Sequence, residues 1–222
     1  FQPAVNEELA ATALWGSQHI NLYDNPEIQG VFSMWYGKGP GLDRAMDALR
    51  HANQGGVAPH GGMVIAVGDD PTGKSSTLAY QSDQNFHSLG IPYFFPKNVS
   101  DIIPMGLEAF ALSRYSGCCV GLKIVVDTAD SNAVVDMSKL RPILPILKPN
   151  SLVHVSKHDP ASVRESKLYD VRLPAVQTWC ENSENVAQVY LPAKKGGTRL
   201  GIIGVGKIAN EVNEALAGLL PD

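Results

Sequence analysis

Short apolar runs that alternate with helix-length segments constrain this chain more than any other feature. Val31–Tyr36, the segment 62–67, Ile91–Phe95 and Cys118–Val126 are rich in β-branched and aromatic residues. Such runs suit strands buried on both faces. Between them lie helical patterns. Asn6 is placed to cap a helix over Glu7–Trp15, with two acids in its first turn. Leu42, Ala45, Met46, Leu49 and Ala52 recur at helical spacing, as do Ile103, Leu107, Phe110 and Ala111 within Ser100–Ser113. A further helix is expected around 75–89. Strands joined by crossover helices predict an α/β fold over residues 1–136, a parallel sheet with helices on both faces. The stretch Gly37-Lys38-Gly39-Pro40-Gly41 reads as the break after the first strand.

The pattern changes after Asp136. Pro142, Pro145, Pro149 and Pro160 interrupt residues 137–165, which read as a linker. A helix around 172–182, a strand around 186–191, a loop at 194–197, a strand at 199–203 and a terminal helix with Ile208, Val212, Ala215, Leu216 and Leu219 follow. Residues 166–222 thus read as the start of a second α/β domain.

Composition narrows the function classes. A net charge of −4 with no Lys/Arg cluster argues against a nucleic-acid surface. No apolar stretch reaches the roughly 20 residues that span a bilayer, and no signal peptide is visible. Cys118, Cys119 and Cys180 lack the spacing of a zinc or iron–sulfur site. An odd thiol count without a secretory signal points to the cytoplasm.

Gly68-Asp69-Asp70-Pro71-Thr72-Gly73-Lys74-Ser75 matches the phosphate-cradling pattern G-x-x-x-x-G-K-[ST] and follows an apolar run. Its chemistry contradicts the match. Two carboxylates compete with phosphate for the loop's N–H groups, and Pro71 removes one donor. Gly204-Val205-Gly206-Lys207-Ile208-Ala209 fits a dinucleotide turn, but the ribose-binding acid it needs would fall about 20 residues later, where this sequence has nearly ended, so it reads as a tight turn. His19, His51, His60, His87, His154 and His158 form no H-E-x-x-H pair, and Ser75-Ser76-Thr77 lacks a nucleophile elbow. Lys38 and Lys74, in glycine loops, are able to meet an anion.

Four segments carry a resemblance. They are Asn6-Glu7-Glu8-Leu9-Ala10-Ala11-Thr12-Ala13, the stretch Gly30–Gly41, the stretch Gly68–Thr77, and Ser113-Arg114-Tyr115-Ser116-Gly117-Cys118. Together they resemble indolepyruvate ferredoxin oxidoreductase, and more broadly the pyrimidine-binding domain of the 2-oxoacid ferredoxin oxidoreductases. The likeness runs from about Val5 to Asp136 and resumes near Lys167–Tyr169 and Arg199–Ile202.

The resemblance implies a thiamine-diphosphate-binding-like fold and oxidative decarboxylation of a 2-oxoacid to its acyl-CoA. It implies that Glu7 hydrogen-bonds the pyrimidine nitrogen N1′ and helps the cofactor lose its C2 proton, from a partly desolvated position. It implies Glu7, Gly37, Lys38 and Gly39 as cofactor-binding residues, with no metal ligand in this chain. Asp69-Asp70 with Asn98 imitates the magnesium-diphosphate motif of thiamine enzymes, but Asn98 is expected to cap the helix beginning near Ser100. Magnesium and the diphosphate are expected on a partner domain, and iron–sulfur clusters and ferredoxin elsewhere in a larger homo-oligomeric enzyme. The chain, which begins at Phe1, is expected to be a piece of that enzyme. The absent upstream element is expected to leave an edge or an apolar patch exposed. A non-catalytic α/β interaction module and a P-loop NTPase are the rival readings.

Overall fold

A computed structural model describes residues 1–140, 150–183 and 201–219. Its centre is a parallel sheet of β1 (Phe32–Lys38), β2 (Gly62–Asp69), β3 (Tyr93–Phe94) and β4 (Val120–Val125) in the order β1-β2-β4-β3. Register sets Trp35 opposite Ile65, Val64 opposite Val120, and Tyr93 opposite Gly121. The predicted α/β class and parallel sheet are therefore present.

Helices α1 (Glu7–Ser17), α2 (Gly39–Gly55) and α3 (Asp83–Leu89) pack on one face, and α4 (Val99–Ser116) on the other. The alternation along β2 explains this: Met63, Ile65 and Val67 join Leu42, Ala45, Leu49 and Phe86, whereas Val64 joins Ala109, Leu112 and Val120. Helix α1 starts where predicted, because Asn6 Oδ1 accepts the Leu9 N–H at 2.9 Å. Trp35 anchors β1 beneath it, donating its indole N–H to the Glu7 carbonyl at 3.1 Å.

Several elements differ from expectation. β1 runs to Lys38 and α2 begins at Gly39, so the glycine stretch is the strand-to-helix junction itself and not a separating loop. The helix expected around 75–89 shrinks to α3, because buried carboxylates bind the backbone ahead of it. The strand expected over 91–95 shortens to β3.

The segment read as a linker also has a structured part. After the short α5 (Val126–Ala129), α6 (Ala161–Lys167) leads through a π turn at Leu168–Arg172 into α7 (Leu173–Asn182). Val153 is buried, and Leu168, Val176 and Trp179 complete the α4 side of the core, with the Tyr115 and Trp179 rings 5.2 Å apart. Residues 150–183 thus pack on the first unit, with α7 against α4 through Trp179 and Tyr115, and Arg172 against the end of α2.

A last helix, α8 (Lys207–Leu219), appears as predicted, but residues 201–205 form no strand. The strand expected around 186–191, the loop at 194–197 and part of the strand at 199–203 fall outside the described residues. No helix among the described residues is long and apolar enough to cross a membrane.

β1 closes one end of the sheet, and its outer face is apolar. Phe32, Met34 and Tyr36 are exposed, and Ile103 and Leu107 continue the α4 stripe of Phe110 and Arg114 that meets Phe32.

Candidate functional site

Ligands of open α/β sheets bind outside the carboxyl ends of the strands. Here that end gathers Lys38 of β1, Asp69 of β2 and the first turn of α2. Glu7, on the first turn of α1, reaches the same place. Its side chain crosses α2 at Gly41, where an added Cβ would lie 2.7 Å from Glu7 Cγ. The Trp35 ring folds over Gly37, where an added Cβ would lie 2.7 Å from Cη2. At Gly39 a Cβ would overlap the Tyr80 ring. The glycines of this junction therefore admit one indole, one phenol and one carboxylate at close range.

The structure thus sets Glu7 against Gly41, in the turn of α2 that Gly39 begins; Gly37 and Gly39 meet Trp35 and Tyr80 instead, and Lys38 is exposed at the end of β1. The Glu7 carboxylate is 41% exposed and faces the Arg44 guanidinium at 3.9 Å. It is covered on one side only. The desolvation expected of it needs a second surface that the described residues do not supply.

The phosphate-cradle look-alike is filled from within. Asp70 accepts the backbone N–H groups of Lys74 at 2.9 Å, Ser75 at 2.7 Å and Ser76 at 3.1 Å, and the Ser75 hydroxyl at 3.3 Å. These bonds, the Ser75 N–H foremost, hold its carboxyl below the usual range. Lys74 turns away to Asp127 at 3.3 Å. A carboxylate of the loop occupies the nest that would receive phosphate, and no helix starts at Ser75 to orient it.

A polar cluster that the sequence reading missed stands behind this loop. Asp69 accepts the Ser82 N–H at 2.8 Å and hydroxyl at 3.0 Å, with Lys123 Nζ at 3.4 Å. Lys123 pairs with Asp83 at 2.5 Å and lies 4.6 Å from the centre of the Phe95 ring. Asp69 is only 2% exposed, and its Oδ1 has no hydrogen-bond partner among the described residues. Burial pushes its pKa up against the opposing Ser82 and Lys123 interactions. At Asp83 burial also pushes upward, but Lys123 and Tyr93 outweigh it and the pKa falls. One sequence signal was available: Lys123 interrupts an otherwise apolar strand.

Other candidates have structural roles. Asn98 Oδ1 accepts the Asp101 N–H at 3.2 Å and caps α4, as expected. Gly206 turns against the Phe95 ring, so the dinucleotide-like sequence serves a close approach. The Cys118 thiol is buried, which pushes its pKa up to about 12. No group of His, Cys, Asp and Glu among the described residues is arranged to hold a metal ion. A cleft of about 310 Å³ between the starts of α4 and α8 is lined by Lys97, Asn98, Asp127, Asn132 and Lys207, away from the Glu7 set.

Compared with protein-family models, curated proteins and solved structures, the chain matches none.

Proposed function

We propose that this chain is the pyrimidine-binding part of a thiamine-diphosphate-dependent 2-oxoacid ferredoxin oxidoreductase of the indolepyruvate type, in a cytoplasmic setting. One observation carries the reading. Glu7, some thirty residues before the β1–α2 junction in sequence, lies against Gly41 in the first turn of α2, at the carboxyl end of a parallel sheet, with its carboxylate partly exposed. Bound thiamine diphosphate supplies the nucleophilic carbon that decarboxylation of a 2-oxoacid requires. The chain's own contribution is a carboxyl group for the pyrimidine ring nitrogen, held in place by three constraints: the α1 cap, the Trp35 hydrogen bond and the contact with Gly41. Magnesium and the diphosphate are held by a partner domain in this reading. Coenzyme A, ferredoxin and the iron–sulfur clusters belong to the remaining parts of a homo-oligomeric enzyme.

The test is Glu7→Gln in the complete enzyme. Glutamine keeps the shape but cannot share a proton with the ring nitrogen. C2 hydrogen–deuterium exchange of the bound cofactor should slow by about two to four orders of magnitude, the scale of a lost acid–base group. Equal exchange rates in wild type and variant would overturn the reading. The second reading, a non-catalytic interaction module, draws on the exposed Phe32, Met34 and Tyr36 of β1. It predicts assembly with the partner domains and no loss of turnover in Glu7→Gln.

A further inference from the structure

We propose that the loop between β2 and α3 is a clasped cover over the β1–α2 junction, and that Tyr80 is the positioning residue that shapes ligand access there. This inference rests on the reading of the junction as a cofactor site. Both ends of the loop are tied down by adjacent carboxylates: Asp70 holds Lys74–Ser76, and Asp69 holds Ser82. Lys74 adds a tie to Asp127. Between these anchors Thr77, Leu78 and Ala79 are exposed, and the chain turns inward only at Tyr80.

The Tyr80 ring lies on Gly39 so closely that no other residue fits there with the ring in place. Its hydroxyl donates to Asp43 Oδ1 at 2.9 Å and accepts from Asn85 Nδ2 at 2.7 Å. Asp43 lies on α2 and Asn85 on α3, so the phenol joins the loop to both helices. Gly39 is an expected cofactor contact, yet its outer side is taken by Tyr80. A heterocycle at this junction therefore approaches Gly37 and Glu7 from the β1 side, with the phenol as a wall. Tyr80 acts through the backbone it presses on, since it holds the first turn of α2 against the Glu7 side chain.

Amide hydrogen exchange and cofactor binding test the proposal together. Tyr80→Ala should speed exchange at the amides of residues 43–45, which bond the carbonyls of the first turn of α2, by at least about tenfold, whereas Tyr80→Phe, which keeps the ring on Gly39, should recover most of the protection. Unchanged exchange in Tyr80→Ala would overturn the cover. Gly39→Ala supplies an independent check, because its methyl expels the ring. Combining it with Tyr80→Gly should cost clearly less than the sum of the single changes, and strict additivity would count against the contact. In the complete enzyme Tyr80→Ala should weaken thiamine diphosphate binding by about tenfold, with Tyr80→Phe close to wild type. Unaltered affinity in Tyr80→Ala, in an enzyme where Glu7→Gln still slows C2 exchange, overturns the role of Tyr80 and spares the site. Loss of the Glu7 effect removes the site itself.

Discussion

At the scale of single residues, His154 gives the molecule a response to acid. It is buried, with its Nε2 3.0 Å from the Arg114 carbonyl. Burial, with Arg172, His60 and Arg114 facing it, holds its pKa below the ordinary 6.5, although the Arg114 carbonyl works the other way. The unfolded chain therefore takes up a proton before the folded one does. Stability from this group is intact above about pH 6.5 and is lost as pH falls from there through the folded pKa. His19 is lowered in the same direction, by burial and then Arg164, and adds to the acid limb. His154→Gln keeps a donor for the Arg114 carbonyl and cannot be protonated. The denaturation midpoint should fall between pH 7.5 and 5 less in the variant than in wild type. Identical falls would show that His154 does not titrate against the fold.

At the scale of elements, Arg172 ties the later helices to the first unit. It is fully buried and donates to the carbonyls of Asn53, Gln54 and Gly55 in the last turn of α2, and to Val153. A cation at a helix C-terminus is favourable, and these carbonyls have no partner within the helix. The π turn at Leu168–Arg172 accompanies the inward placement of both of its end residues. Desolvation lowers the Arg172 pKa, which measures how thoroughly the fold encloses the guanidinium. Arg172→Met should destabilise the chain by about 3 kcal/mol in chemical denaturation, since three buried acceptors and one half-buried acceptor lose a charged donor together. Arg172→Lys should recover only part of this, because an ammonium lacks the planar fork. A loss under about 1 kcal/mol in Arg172→Met would mean that residues 150–183 sit on the core without bracing it.

At the scale of the whole molecule, the open side of β1 governs association. A strand at a sheet edge with an apolar outer face invites pairing with another chain. Of the seven residues of β1, only Lys38 at its end is charged, so little opposes such pairing. Light scattering should show apparent mass rising with concentration. Met34→Lys together with Tyr36→Lys should suppress that rise while leaving the thermal midpoint nearly unchanged, because both positions are exposed. A concentration-independent monomer in the unmodified chain would show that this face is not adhesive.

Much of the architecture could be read from the residues because it follows from local patterns. Asn6 and Asn98 cap helices through their own neighbours, and the Met63–Val67 run is apolar on both sides because both sides are covered. The acids of the phosphate-cradle look-alike already argued against phosphate, and Asp70 supplies the geometry of that argument. Contacts between distant segments were not legible. Nothing local indicates that Tyr80 lies on Gly39, that Lys123 joins Asp69 to Asp83, or that Arg172 reaches back to the end of α2. Helix boundaries failed for the same reason. Residues 75–82 carry ordinary helical composition, but Asp69 and Asp70 claim their N–H groups first. A short-range pattern specifies which face of an element is apolar. What covers that face, and which buried charge finds its partner, depends on chain segments that meet only when the sheet has formed.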